Sequence, residues 1–308
     1  MLNVLLSTFG LVLLGYACRR TNFIDDTVGA GLNQFVMYLA LPALLFGMVM
    51  KMPSLDQAQA RFLLAYGAGS MAVFLLPILC FGKRLSLAQK AIDGLYAAYP
   101  NTGLIGVPLA MTVFGQAGAA GTLIAAIFTT SILFAVGIAV IEIDLSRRGG
   151  GQAWWRGIPR ILLRNPMLFS PVLAGLFVLT GLSMPQALGR MIDMLATATA
   201  PCALIALGLF LGKDSVADDL RPRRDLALLG LLKIAAQPLL TFGLASLLRL
   251  SPTDKALATF MAAMPTGTGA YILAEHYALS PRMASRVILL TTAGSFLSLA
   301  YILDQLVT

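Results

Sequence analysis

The chain has 308 residues, 58% of them hydrophobic and 12% charged, with a mean hydropathy of +0.83. A soluble domain of this length cannot cover so much apolar side chain, so composition excludes a soluble module and calls for an all-α, polytopic protein in a lipid bilayer. The net charge of +8 would suit nucleic acid, but the basic residues lie in short connections between apolar runs, where they orient a chain in a membrane instead.

Charge-poor runs long enough to cross about 30 Å of hydrocarbon predict ten spans at 2–18, 31–50, 62–82, 92–113, 119–142, 165–182, 191–211, 226–248, 256–277 and 285–305. The first lacks a positive leading segment and is followed, not preceded, by Arg19 and Arg20, so it reads as a retained span. Phe114 to Gly118 reads as a tight turn between the fourth and fifth spans. Of the 22 Lys and Arg residues, 16 fall in alternate connections, five in the opposite ones, and Lys233 inside a span. That bias predicts a cell (inner) membrane protein with both termini outside. Cys18, Cys80 and Cys202 sit in apolar segments without metal-ligand spacing and read as small apolar fillers, with no metal and no cofactor implied.

The basic, glycine-rich connection at 143–164, with Trp154 and Trp155, reads as a cytoplasmic linker between a first repeat at 1–142 and a second at 165–308. Pro42 and Pro201 lie 159 residues apart, and Pro100 and Pro265 lie 165 apart. Five spans per half place the second repeat in the membrane the opposite way up, giving two inverted five-helix repeats.

Two of the spans cannot be continuous helix. In Tyr99-Pro-Asn-Thr-Gly-Leu-Ile-Gly-Val-Pro108, Pro100 has no N–H to give, Gly103 and Gly106 loosen the next turn, and Pro108 interrupts again. Met264-Pro-Thr-Gly-Thr-Gly-Ala-Tyr271 repeats the signal in the ninth span. Freed backbone at membrane depth is tolerated where protein or a water-filled cavity satisfies it, and paired breaks in two halves point to a transporter's binding site. Half-helices restarting near Gly103 and Gly267 would present N–H groups and partial positive charge to an anion. The expected substrate-binding residues are Pro100, Asn101, Thr102 and Gly103 from one break and Pro265, Thr266, Gly267, Thr268 and Tyr271 from the other. The short polar side chains among them serve equally as caps for the half-helices.

At these residues the chain resembles the auxin efflux carrier family, within the superfamily that includes the sodium–bile acid symporters. The fourth-span pattern Asn-x-Gly-x-x-Gly-x-Pro is matched by Asn101, Gly103, Gly106 and Pro108. The ninth-span pattern is matched by Pro265, Ala270-Tyr271-Ile-Leu273-Ala274 and Tyr277. The resemblance covers the whole chain and implies broken, crossed helices 4 and 9, a mobile transport domain against a scaffold, and a homodimer. The chain lacks the long hydrophilic central loop of the plant carriers and so looks like compact bacterial members, whose substrates include dicarboxylic as well as auxin-like acids.

Lys233 is a charge about 10 Å inside the eighth span, where a cation faces a cavity and finds a partner. It would attract an organic anion, or hold positive charge where a symporter relative would bind sodium; snorkelling to the headgroups is the alternative. Gln237 lies one turn along on its face. Glu275 shares a face with Tyr271 and Thr268, and Asp93 precedes the fourth-span break by two turns. Gln237, Glu275 and Asp93 are the candidates for coupling to H+ or Na+. His276, the single histidine, reads as a surface residue, and Asn33, Gln34 and Tyr38 as candidate cavity-lining side chains of span two. No Walker-type loop is present, and one histidine cannot build a metal hydrolase, so the chain reads as no enzyme. The expected function is secondary active or facilitative transport of a small organic anion by alternating access. An anion channel or ligand sensor on the same fold is the alternative.

Overall fold

A computed structural model describes residues 2–51, 56–82, 84–148, 166–181, 184–212 and 221–306. The two tryptophans and most of the 143–164 linker lie outside the described residues, as do Lys83 and Lys213. Among the described residues the chain is helical and contains no strand. In order the helices are α1 (Leu2–Arg20), α2 (Asp26–Phe35), α3 (Leu41–Met50), α4 (Gln57–Cys80), α5 (Leu87–Ala98), α6 (Val107–Phe114), α7 (Ala119–Ile127), α8 (Phe134–Arg148), α9 (Pro166–Thr180), α10 (Gln186–Leu211), α11 (Arg223–Leu231), α12 (Gln237–Leu247), α13 (Pro252–Ala262), α14 (Thr268–His276) and α15 (Pro281–Leu306).

Several neighbours in this order are one rod joined by a widened, π-type turn. Such turns join α2 to α3 at Val36–Ala40 and α11 to α12 at Leu232–Ala236, and a third, Thr102–Gly106, leads into α6 without joining it to α5. Each ends two residues before a proline, at Pro42, Pro108 and Pro238. Proline has no N–H for the carbonyl four residues back and its ring crowds that carbonyl, so widening the preceding turn removes the conflict without ending the helix. A fourth, Phe128–Leu133, has no proline; there the Thr130 hydroxyl donates to the Ala126 carbonyl at 2.7 Å and competes with the ladder. Five of the resulting rods, Thr27–Met50, Gln57–Cys80, Ala119–Arg148, Gln186–Leu209 and Arg223–Leu247, are long and apolar enough to cross a membrane. The Phe114–Gly118 turn is tight as predicted, with Gly115 at φ +55° followed by a single 3₁₀ turn.

Several helices begin four or five residues before the apolar run that predicts them. Asp25 caps α2 by accepting from the Thr27 and Val28 N–H groups, and Asp56 forms a reciprocal capping box with Gln59. Ser86 and Ser251 cap α5 and α13 by accepting from the Gln89 and Asp254 N–H groups. The apolar run marks the hydrocarbon, whereas the cap marks the helix.

The chain divides into two compact units, and each draws helices from both halves of the sequence. One comprises 2–52 and 145–217; the other comprises 53–144 and 218–308. In the first, α1 and α10 cross backbone to backbone: a Cβ on Gly208 would strike the Val12 carbonyl oxygen, and one on Gly15 would strike that of Ile205. Small residues at a helix crossing are how apolar helices gain contact where lipid is as apolar as they are. The Ser170 hydroxyl of α9 donates to the Pro42 carbonyl of α3, tying these two helices together. Asn33 in this unit is buried with its Oδ1 unpartnered among the described residues, while Gln34 and Tyr38 are exposed.

The second unit packs α4 to α8 around α11 to α15 and holds most of the buried polar groups. Gly94 of α5 admits the Phe74 carbonyl of α4, which a Cβ would approach to 2.5 Å, and Gly69 of α4 admits Thr241 of α12. Tyr66 of α4 reaches the Thr129 hydroxyl at 2.7 Å. These close approaches pack α4 against α5, α12 and the widened turn before α8.

Candidate functional site

Helix α5 ends at Ala98, and Tyr99 leaves it in an extended conformation. Helix α13 ends at Ala262, and the chain resumes as α14 at Thr268 after Gly267, which is also extended. The two breaks meet. Pro100 and Thr266 form an antiparallel bridge, the Asn101 N–H donating to the Pro265 carbonyl at 2.7 Å and the Gly267 N–H to the Tyr99 carbonyl at 2.8 Å. Two predicted discontinuities thus become one crossing held by backbone pairing.

Each helix end leaves carbonyls that would accept from residues that no longer continue the helix. The partners these carbonyls find define what the crossing requires. The Tyr96 carbonyl would ordinarily accept from residue 100, a proline; the Thr266 hydroxyl takes its place at 2.8 Å. The Thr102 N–H turns to the Pro100 carbonyl at 2.8 Å, so the Ala98 carbonyl is served by the Gln237 amide at 2.9 Å. The Thr266 N–H turns to the Thr291 hydroxyl of α15 at 3.1 Å, so the Ala262 carbonyl is served by the Lys233 ammonium at 2.7 Å. Lys233 also donates to Gln237 Oε1 at 2.5 Å, and Gln237 Nε2 reaches Ser70 Oγ at 3.0 Å. Lys233, Gln237, Thr266 and Ser70 are all fully buried. Lys233 does not snorkel; it faces the interior of its unit.

The N-terminal sides of the breaks differ from this. The segment after Asn101 restarts at Thr102, and α14 restarts at Thr268, each one residue from the predicted glycine. The Thr102 hydroxyl is fully buried and has no partner among the described residues. Gly103 is half-buried, and a Cβ there would meet nothing within 4 Å. Gly267 and Gly269 are opposite in kind, since Cβ atoms on them would lie 2.7 and 2.8 Å from the Tyr99 side chain. That ring fills the crossing and packs against Phe134 at 5.3 Å between centroids. Asn101 and Thr268 are buried at the same point. This end of the crossing therefore offers helix N-termini, small polar side chains and open space beside Gly103, a combination suited to an anion.

The remaining candidates stand elsewhere in the same unit. Tyr271 is buried and its hydroxyl donates to Glu275. Tyr277 donates to Glu142 at 2.5 Å, and exposed His276 meets the Tyr277 ring edge to face at 4.8 Å. Asp93 is fully buried and receives two hydrogen bonds from Arg221, at 3.0 Å each, with Gln89 at 3.4 Å. Arg221 also reaches Asp225 at 3.1 Å. This buried ion pair fastens the segment before α11 to α5. Sequence reasoning ties Lys233 to Gln237 by spacing but misses Ser70, Thr291 and Arg221. A hydroxyl in the small-residue run from Gly67 to Ser70, or in the apolar α15, is the readable signal for the first two. Nothing in the spacing marks Arg221 among its basic neighbours.

Known proteins match this chain along most of their length. A family model described as "Membrane transport protein" matches residues 1–150 and 155–303. A protein of Rhizobium meliloti named "Putative malonate transporter" is 30% identical over 297 residues, covering 94% of this chain and 91% of the relative. A protein of Methanothermobacter thermautotrophicus named "Uncharacterized transporter" is 28% identical, with 96% and 95% covered. "Uncharacterized transporter YfdV" of Escherichia coli K12 is 23% identical, with 94% and 92% covered. The chain therefore belongs to the membrane transport protein family, the auxin efflux carrier family that its two broken-helix motifs resemble, and it is a membrane transporter rather than an enzyme.

Proposed function

We propose that the protein is a secondary active or facilitative transporter that moves a small organic anion across the inner membrane by alternating access, binding it at the crossing. The observation that carries this reading is the pair of interrupted helices joined at Pro100 and Thr266. Two restarted helices bring two sets of N–H groups and roughly half a positive charge each to one place. Asn101, Thr102, Gly103 and Thr268 form the seat, with the unpartnered Thr102 hydroxyl and the open space at Gly103 in its support. Tyr99, Pro100, Pro265, Thr266, Gly267 and Tyr271 shape it, and Lys233 adds positive potential from the opposite ends of the half-helices. The name of the Rhizobium relative favours a dicarboxylate such as malonate over an auxin-like monocarboxylate.

In this reading the helices form ten spans in two inverted five-helix repeats, 1–142 and 165–308, joined by a cytoplasmic linker. Both termini face outward, and the protein works as a homodimer. The compact unit containing the crossing carries the anion as a body. Glu275 and Asp93 are the proposed sites for a coupling proton; the Arg221 pairing makes Asp93 the poorer of the two. A thermal-shift screen of mono- and dicarboxylates at several pH values and sodium concentrations tests the assignment, because a ligand of the native state raises its stability. A saturable shift with one class of acid supports it, and no shift with any carboxylate refutes it.

A further inference from the structure

The anion seat uses the N-terminal sides of the breaks; the C-terminal sides hold a second set of groups that transport of an anion does not by itself require. Ala98 and Ala262 are the last residues of α5 and α13, and their carbonyls sit at the negative ends of two half-helix dipoles inside the bilayer. Such ends, with freed carbonyls, are where a small cation is coordinated in a discontinuous helix pair. Here one side-chain relay occupies that position. Lys233 Nζ is 2.7 Å from the Ala262 carbonyl and 2.5 Å from Gln237 Oε1, and the Gln237 amide passes the link to the Ala98 carbonyl at 2.9 Å and to Ser70 Oγ at 3.0 Å. Both acceptors of Nζ are neutral oxygens, the ligand type of a hard cation, and neither is a carboxylate.

We propose that Lys233 is a tethered substitute for a monovalent cation: a positioning residue that joins the C-terminal ends of both half-helices and makes assembly of the crossing independent of sodium. Lys233 then acts on the anion through the geometry of the crossing rather than by touching it. This deepens the transport reading, since it assigns the same crossing a built-in cation and removes sodium as a ligand at that place. Deleting the side chain in Lys233→Ala frees the two oxygens that the ammonium contacts, the Ala262 carbonyl and Gln237 Oε1, for a sodium or lithium ion.

The test is the thermal stability of purified wild type and Lys233→Ala, without any carboxylate, in sodium, lithium or choline chloride at equal ionic strength. The wild type is expected to melt at the same temperature in all three salts. The variant is expected to melt lower in choline and to recover by roughly 5 °C at saturating sodium or lithium. Lys233→Ser, whose hydroxyl adds an oxygen to these two, is expected to respond more strongly. Equal behaviour of the variants in sodium and choline overturns the proposal, as does a wild type that responds to sodium as the variants do. Failure of both variants to fold in sodium-containing medium also counts against it, because the ion is then no substitute. The readout involves no transported acid, so a wild type that binds no carboxylate sinks the transport reading and leaves this result standing.

Discussion

Replacing Gly267 with alanine isolates what the crossing demands of its packing. Gly267 has φ −77° and ψ 150°, a conformation any residue adopts. On backbone grounds alone the substitution would stabilise the protein by about 0.4–1 kcal/mol, by reducing the freedom of the unfolded chain. The opposing effect is steric: the new Cβ would stand 2.7 and 2.8 Å from Tyr99 Cε1 and Cδ1 and 3.3 Å from Asn101 Cα, where carbon atoms prefer about 3.5–4.0 Å. The ring cannot swing clear, because it is 5% exposed, and Phe134 and Gly269 border it. Overpacking of this kind costs about 1–3 kcal/mol, so Gly267→Ala should destabilise by about 1–2 kcal/mol after the backbone gain is subtracted. Denaturation of wild type, Gly267→Ala, Tyr99→Leu and the double variant measures this as a cycle. The alanine penalty should shrink by about 1 kcal/mol once the ring is gone. A Gly267→Ala protein as stable as wild type, or a penalty unchanged in the Tyr99→Leu background, would refute the argument that the ring and the glycine fit each other.

Gly103 predicts the reverse pattern, since nothing lies within 4 Å of its Cβ position. Gly103→Leu should keep the wild-type melting temperature and lose carboxylate binding by about tenfold or more, as read by titration calorimetry, which corresponds to about 1.4 kcal/mol of binding free energy. Thr266→Val removes the hydroxyl that serves the Tyr96 carbonyl and leaves that buried acceptor unsatisfied, at a cost of about 1–3 kcal/mol, whereas Thr266→Ser should stay near wild type. Arg221→Met deprives buried Asp93 of its two shortest hydrogen bonds and should cost about 3 kcal/mol. Changing Arg224, whose side chain is 90% exposed, should move stability by less than about 0.5 kcal/mol.

The breaks are legible in the sequence because their cause is local. Pro100 and Pro265 remove donors wherever the chain goes, and glycines beside them admit the Tyr99 ring and the open approach at residue 103. Their meeting at Pro100 and Thr266 is legible only through the internal duplication and the motif resemblance. The service of the freed carbonyls is hidden. Gln237 reaches Ala98 across 139 residues, and Thr266 reaches Tyr96 across 170; such pairings are fixed by helix packing, not by spacing. Lys233 stands out as a buried charge, yet spacing does not tell a ligand of an anion from a cap on a helix end. Hydropathy likewise locates the rods but not their starts, because Asp25, Asp56, Ser86 and Ser251 lie outside the apolar runs they cap.

Counterflow in proteoliposomes tests the central claim most directly. Vesicles loaded with unlabelled malonate and containing the protein should accumulate labelled malonate from outside, with a rate that saturates and that falls away in Gly103→Leu. Absence of exchange with malonate and with every other small carboxylate tried, or conduction of anion without exchange, would contradict an alternating-access carrier with its seat at the crossing.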